Sequence, residues 1–150
     1  MSRKLMLLAT ALVVAAVMSL GAGNALAAKN HSVSATGKIA GVGTSGGRTV
    51  DVGVFSSTLG EIVGVFRVKP LSNGKLSVTF TAYTRNGTLK GTSVLTVATD
   101  SAGGTTFTGT AKVIRGTGLY SGATGKLSAV GTSPKDSTIV NYKLKGTVRY

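Results

Sequence analysis

The chain has no cysteine, no tryptophan, one histidine, two prolines and only four acidic residues in 150 positions. Each shortage excludes something. Without cysteine there are no disulfides, no thiolate nucleophile, no cysteine-ligated metal and no lipidated cysteine anchor. With four acids and a single histidine, His31, no cluster has metal-ligand spacing. Acid–base catalysis needs titratable groups gathered in a pocket, and few are on offer. Asp100 and Asp136 sit among turn-forming residues and read as turn formers. His31 reads as surface near a loose chain end. No nucleophile elbow is present. The glycine-rich 41–47 segment lacks both the Gly-Lys-Ser/Thr ending of a phosphate cradle and a helix after it. No catalytic residue, metal or cofactor is therefore assigned.

The N-terminus supplies the compartment. Arg3 and Lys4 precede an apolar run from Leu5 to Leu20, and Ala25-Leu26-Ala27 forms a small-x-small cleavage site. Residues 1–27 thus read as a secretory signal peptide of bacterial style, and residues 28–150 as a single domain. The apolar run is shorter than the ~20 residues that span a bilayer. The expected location is secreted or extracellular, with periplasm or cell surface as further settings. The sequons at Asn30 and Asn86 matter only in a eukaryotic host. Of the 17 basic residues only Arg3 and Lys4 fall in the leader, so the mature chain keeps 15 against four acids, a net charge of about +11. Such a surface is soluble and attracts acidic polymers. Its basic residues are dispersed, so it carries no specific nucleic-acid signal.

What the mature chain has in abundance is threonine, valine, serine and glycine in period-two alternation, the signature of strands. Leu76, Val78, Phe80 and Ala82 alternate with Ser77, Thr79, Thr81 and Tyr83. Phe107, Gly109, Ala111 and Val113 alternate with threonines and Lys112. Val140, Tyr142, Leu144, Gly146 and Val148 alternate with Asn141, Lys143, Lys145, Thr147 and Arg149. Asn73-Gly74 and Asn86-Gly87 read as two-residue hairpin turns of the I′ kind. Residues 100–104 and 133–136 read as longer turns. Eight strands are expected, near 31–42, 48–55, 61–69, 75–84, 88–98, 105–114, 125–132 and 138–149. No window shows a helical apolar stripe. The fold class is all-β, an eight-stranded antiparallel meander closed into a barrel, with a β-sandwich as the alternative. Closure removes the exposed edges of an open meander.

One segment is distinctive. Gly116-Thr117-Gly118-Leu119-Tyr120-Ser121-Gly122-Ala123-Thr124-Gly125 sets four glycines around one tyrosine, between the sixth and seventh expected strands. It resembles the glycine-rich stretch of the dirigent / allene oxide cyclase barrel superfamily. The strand order on either side, over about residues 88–150, is similar too. Arg115 stands where that family often has another glycine. The resemblance implies an eight-stranded barrel, a hydrophobic small molecule inside it, a homotrimer, and an isomerase or cyclase activity as the enzymatic option.

If the apolar faces fill the barrel, Phe66, Phe80, Phe107 and Tyr142 point inward and are the candidate ligand-binding residues. Interior Gly64, Ala82, Gly91, Gly109, Ala111, Ala129, Gly131 and Gly146 either seat those rings or leave space. On the second strand, Val50, Val52 and Val54 then face inward, and Asp51 points outward with Glu61 and Arg67 of the third. The leading functional reading is a secreted barrel that binds an apolar or fatty-acid-like ligand without converting it. Two further readings belong to other classes. The terminal aromatic suits an outer-membrane barrel, but Lys90, Lys112, Lys143, Lys145 and Arg149 would then crowd the lumen almost without acids, a costly burial. Lys143, Lys145 and Arg149 also form a basic stripe for a polyanion, though no aromatic is interleaved for base stacking. Processing after Ala27 predicts a mature N-terminus at Ala28. Mass spectrometry of the exported protein checks this, and a mature form starting at Met1 would contradict it.

Overall fold

Alternation and turns place the strands, and one pairing closes them. The computed structural model describes residues 27–150, so the signal-peptide segment lies outside the described residues except for Ala27. The strands are β1 (Asn30–Ser45), β2 (Arg48–Ser57), β3 (Gly60–Pro70), β4 (Lys75–Thr84), β5 (Gly87–Thr99), β6 (Thr105–Gly116), β7 (Thr124–Ser133) and β8 (Ile139–Arg149). Every neighbour in sequence pairs antiparallel, and β1 pairs with β8 from Asn30↔Arg149 to Ala40↔Ile139. That last ladder makes a closed barrel and removes the sandwich alternative. Among the described residues the sole helical element is one 3₁₀ turn, Gly118–Tyr120.

The inward face is apolar along most strands. Val33, Ala35 and Ile39 of β1, Leu89 and Leu95 of β5, Ala111 and Val113 of β6, and Leu127 and Ala129 of β7 are buried. Lysines and threonines take the alternate, outward positions, as in Lys112, Lys126, Lys143 and Lys145. On β2 the faces are the reverse of the expected ones. Gly53 and Phe55 are buried, and Val54 is 59% exposed. Inward-facing Asp51, Gly53 and Phe55 thus share one face, while the valines look out. Outward Val52 and Val54 stand opposite Val65 and Val63 of β3, and Val63 stands opposite Tyr83 of β4. This cross-strand valine pairing stabilises the sheet from its outer surface.

The two ends of the barrel differ. The β2–β3, β4–β5 and β6–β7 connections share one end with the chain termini, and that end is plugged. The segment after β6 folds across it. Leu119 N–H donates to the Asn86 carbonyl (2.9 Å) and Thr117 N–H to the Thr88 carbonyl (2.9 Å). The Thr88 and Thr117 hydroxyls are hydrogen-bonded to each other at 2.8 Å. These bonds drive Tyr120 and Ala123 into a cluster with Val33, Leu89, Val113, Leu127 and Val148. Tyr120 is 1% exposed. Tyr150 meets it edge-on at 4.8 Å and stacks on His31 at 4.0 Å. His31 is therefore an ordered β1 residue paired with Val148, not part of a loose terminus. The stacking partner lies at the far end of the chain, which hid the contact from local reading.

The two expected two-residue hairpin turns both differ from expectation. Asn73 and Gly74 have positive φ (60° and 66°), but Leu71 N–H donates to the Lys75 carbonyl at 2.8 Å, so Ser72 joins them in a longer loop. Asn86 does not have positive φ, and the turn is formed by Arg85 and Asn86 instead. The Thr84 hydroxyl accepts from Asn86 N–H and donates to the Gly87 carbonyl, both at 3.0 Å, and so fixes this geometry. Asp100 forms its turn as expected, accepting from the N–H groups of Ala102 and Gly104 at 2.9 Å each.

Gly118 (φ 63°) and Gly122 (φ 73°) hold the plug in the left-handed region that disfavours side chains. A Cβ on Gly122 would meet nothing within 4 Å, whereas one on Gly118 would press on the Asn86 carbonyl and Gly87 Cα. Gly122→Ala is expected to cost about 1 kcal/mol and Gly118→Ala about 2–3 kcal/mol, the difference being the steric overlap. Denaturant melts of the two variants check both size and order. Equal losses would place the cost in φ alone.

Candidate functional site

The interior of the barrel is not filled. A cavity of about 160 Å³ lies within it, walled by side chains from all eight strands. Phe66, Phe80, Phe107 and Tyr142, the four aromatic residues placed inward on sequence grounds, all line it. Phe55 and Asp51 of β2 line it as well. Asp51 faces inward, contrary to expectation, and Phe55 joins the lining, because the valines of β2 occupy its outer face. A signal was available: Asp51, Gly53 and Phe55 repeat the glycine–aromatic alternation of Gly64 and Phe66 on β3. Glu61 and Arg67 are exposed, outward-facing positions as expected.

Glycine in the walls decides where the rings go. A Cβ built on Gly64 would lie 2.6 Å from the Phe66 ring, one on Gly131 2.6 Å from the Tyr142 ring, and one on Gly37 2.5 Å from the Phe55 ring. On Gly91 it would lie 2.8 Å from Cε1 of Phe80. Each ring therefore lies flat over backbone that any side chain would cover. The rings form two tilted groups. Phe66 is 6.0 Å from Phe55 and 6.5 Å from Phe80, and Phe107 is 6.2 Å from Tyr142. Because the rings lean on the walls, space remains along the axis.

The polar content of the cavity is small. Ser93 is satisfied within the wall, donating to the Thr110 carbonyl at 2.9 Å. Asp51 and Tyr142 are the other polar lining residues, and among the described residues no lysine or arginine lines the cavity. Asp51 stands opposite Phe66 on β3 and Gly41 on β1. A Cβ on Gly41 would come 3.5 Å from Asp51 Oδ1. Immediately beyond, β1 carries an irregularity, pairing passing from Gly41↔Asp51 to Gly43↔Val50 so that Val42 is extra and 63% exposed. Such a bulge bends the strand and loosens the wall beside the carboxyl. Burial raises the Asp51 carboxyl above its usual range. Burial, and then the Asp51 charge, push the Tyr142 hydroxyl up to about 12. Asp51 and Tyr142 therefore sense each other, and Tyr142 stays protonated throughout the physiological range.

The remaining candidate features lie outside the barrel wall. Lys143, Lys145 and Arg149 are exposed along β8. Among the described residues no three of histidine, aspartate and glutamate come together to hold a metal. No protein-family model, curated protein or solved structure matches this chain.

The raised Asp51 pKa carries a stability consequence. The folded state holds that proton more tightly than the unfolded state does. Ionisation therefore favours unfolding as pH rises through the folded pKa, and the penalty vanishes below the unfolded one. Asp51→Asn is expected to raise the melting temperature near pH 7 and to leave it nearly unchanged at about pH 3. Thermal melts at both pH values check this. A variant less stable than the parent at neutral pH would mean that the carboxylate is satisfied within the wall.

Proposed function

We propose that the mature chain is a secreted barrel protein that binds one compact apolar molecule in its interior. One observation carries this reading: a closed barrel leaves a cavity of about 160 Å³ with Phe55, Phe66, Phe80, Phe107 and Tyr142 around it. Dry apolar cavities near ~150 Å³ accept benzene-sized guests. Sites for larger, drug-sized ligands begin at roughly 300 Å³. The guest is thus a ring or short branched chain rather than a long fatty acid. The resemblance of the Gly116–Gly125 segment to the dirigent / allene oxide cyclase barrels supports the same reading, since it implies a hydrophobic guest in such a barrel. The homotrimer it also implies would bury the outward valines of β2 and β3 with Tyr83.

Asp51 favours a second reading, an isomerase or cyclase in which its carboxyl moves a proton on the bound guest. The raised pKa suits that role. Catalysis shows as product formation, and binding alone does not. The outer-membrane reading requires polar residues inside and apolar ones towards lipid. The apolar interior and outward lysines of this barrel weigh against it. An acidic polymer remains a partner for the basic exterior, where Lys143, Lys145 and Arg149 align.

Apolar burial and polyanion attraction respond differently to salt. A small aromatic probe should bind with affinity nearly independent of ionic strength, and an anionic polymer should weaken steeply as salt rises. Ala82→Leu places added carbons in the cavity. It is expected to lower affinity for the aromatic probe at least about tenfold and to leave polymer binding intact. Calorimetric titration at two salt concentrations reads both. Unaltered probe binding in Ala82→Leu would place the guest outside the barrel.

A further inference from the structure

The cavity is apolar except for one charge, and that charge selects the guest. From the position of Asp51 among aromatic rings the geometry points to a guest that carries a positive amine: a compact aromatic or branched aliphatic ammonium. This inference rests on the interior-binding reading and sharpens it.

The argument starts from what a carboxylate can do. An ionised carboxylate only accepts hydrogen bonds, so the guest must bring donors. Among the cavity-lining residues no lysine or arginine supplies them. An ammonium offers three donors and a charge, and charge-assisted hydrogen bonds are about twice as strong as neutral ones. The surroundings fit the same cation. Phe66 stands directly opposite Asp51 across the β2–β3 ladder, and Tyr142 is close enough for the Asp51 charge to act on its hydroxyl. Phe107 packs 6.2 Å from Tyr142. Aromatic faces attract ammonium groups electrostatically, most strongly where water is excluded. A carboxylate guest meets the opposite conditions, because a second negative charge beside Asp51 is repelled.

Access is consistent with this order of contacts. Asp51 lies near the start of β2, towards the β1–β2 turn, at the end opposite the Tyr120 plug. Its neighbour across the β1–β2 ladder is Gly41, which has no side chain to cover it. A guest entering from the unplugged end keeps its ammonium at Asp51 and sends its apolar body inward, towards Phe55 and Phe80. The basic exterior does not forbid a cation. Its charges are screened over about 8 Å at physiological ionic strength, whereas the carboxylate acts at contact.

Three probes of equal length separate the possibilities: 2-phenylethylammonium, 2-phenylethanol and phenylacetate, titrated into the mature protein and into Asp51→Asn. The expected result is that the ammonium binds at least about tenfold more tightly than the alcohol and that the carboxylate binds most weakly. In Asp51→Asn the ammonium should lose its advantage over the alcohol. Near-ultraviolet circular dichroism confirms that the variant is folded, and the order of the three probes on the parent protein stands without the variant. Equal binding of ammonium and alcohol, or a preference for the carboxylate, overturns the amine assignment and leaves interior binding in place. Failure of all three probes on the folded parent overturns both.

Discussion

Ring over glycine is the contact on which this barrel depends. An eight-stranded barrel has room for side chains to fill its interior or for one small guest. Which outcome follows is decided by how far the large side chains reach towards the axis. Here Phe55, Phe66, Phe80 and Tyr142 each lie against a glycine at Gly37, Gly64, Gly91 or Gly131. Glycine costs a strand some stability, because it brings no side chain to pack. The ring laid over it restores the packing and shields the exposed backbone. The same arrangement draws the ring away from the centre. Packing and vacancy therefore have one cause, and the cavity is a property of the walls rather than a defect in them.

The second constraint is the difference between the ends. At one end the termini, Tyr120, Tyr150 and His31 interlock through non-local contacts, and Val148 and Ala123 have no exposed surface. A rigid base follows, held by hydrogen bonds from the Gly116–Gly125 segment to the β4–β5 hairpin. At the other end lie the turns at residues 46–47, 71–74, 100–104 and 134–138, exposed for the most part and with fewer buried neighbours. Local opening concentrates where buried apolar contacts are few. On the binding proposal, the end beside Asp51 would be the entrance, since the glycine-rich segment closes the opposite end.

Much of this was legible from local pattern. Period-two alternation and turn chemistry locate all eight strands to within a few residues, since both are properties of adjacent positions. The same pattern places Phe66, Phe80, Phe107 and Tyr142 inside. It fails on β2, for a physical reason. Valine favours strands through its branched shape, whichever face it occupies. On β2 and β3 it builds cross-strand pairs on the outer surface, Val52 with Val65 and Val54 with Val63. Hydrophobicity alone then points to the wrong face, and Asp51 and Phe55 are lost from the site with it. The hairpin at Arg85-Asn86 departs from its expected form because the Thr84 hydroxyl holds it. The His31–Tyr150 stack needs barrel closure before its partners meet. Whether the core is packed or hollow depends on ring orientation, which no alternation encodes.

Among the cavity-lining residues Asp51 is the one ionisable carboxyl, and packing alone does not call for it. Replacing an inward carboxyl with an apolar residue would remove a desolvation cost, so the barrel gains nothing in stability from keeping it. Of its direct ladder neighbours, Gly41 contributes only backbone and Phe66 only a ring. A group that is costly to the fold and uncompensated by it has its partner elsewhere. Within a cavity lined by rings, the proposed ammonium guest would be that partner. A guest that pairs with Asp51 binds the folded chain alone and shifts the folding equilibrium towards it. The same contact would then both select the guest and stabilise the fold.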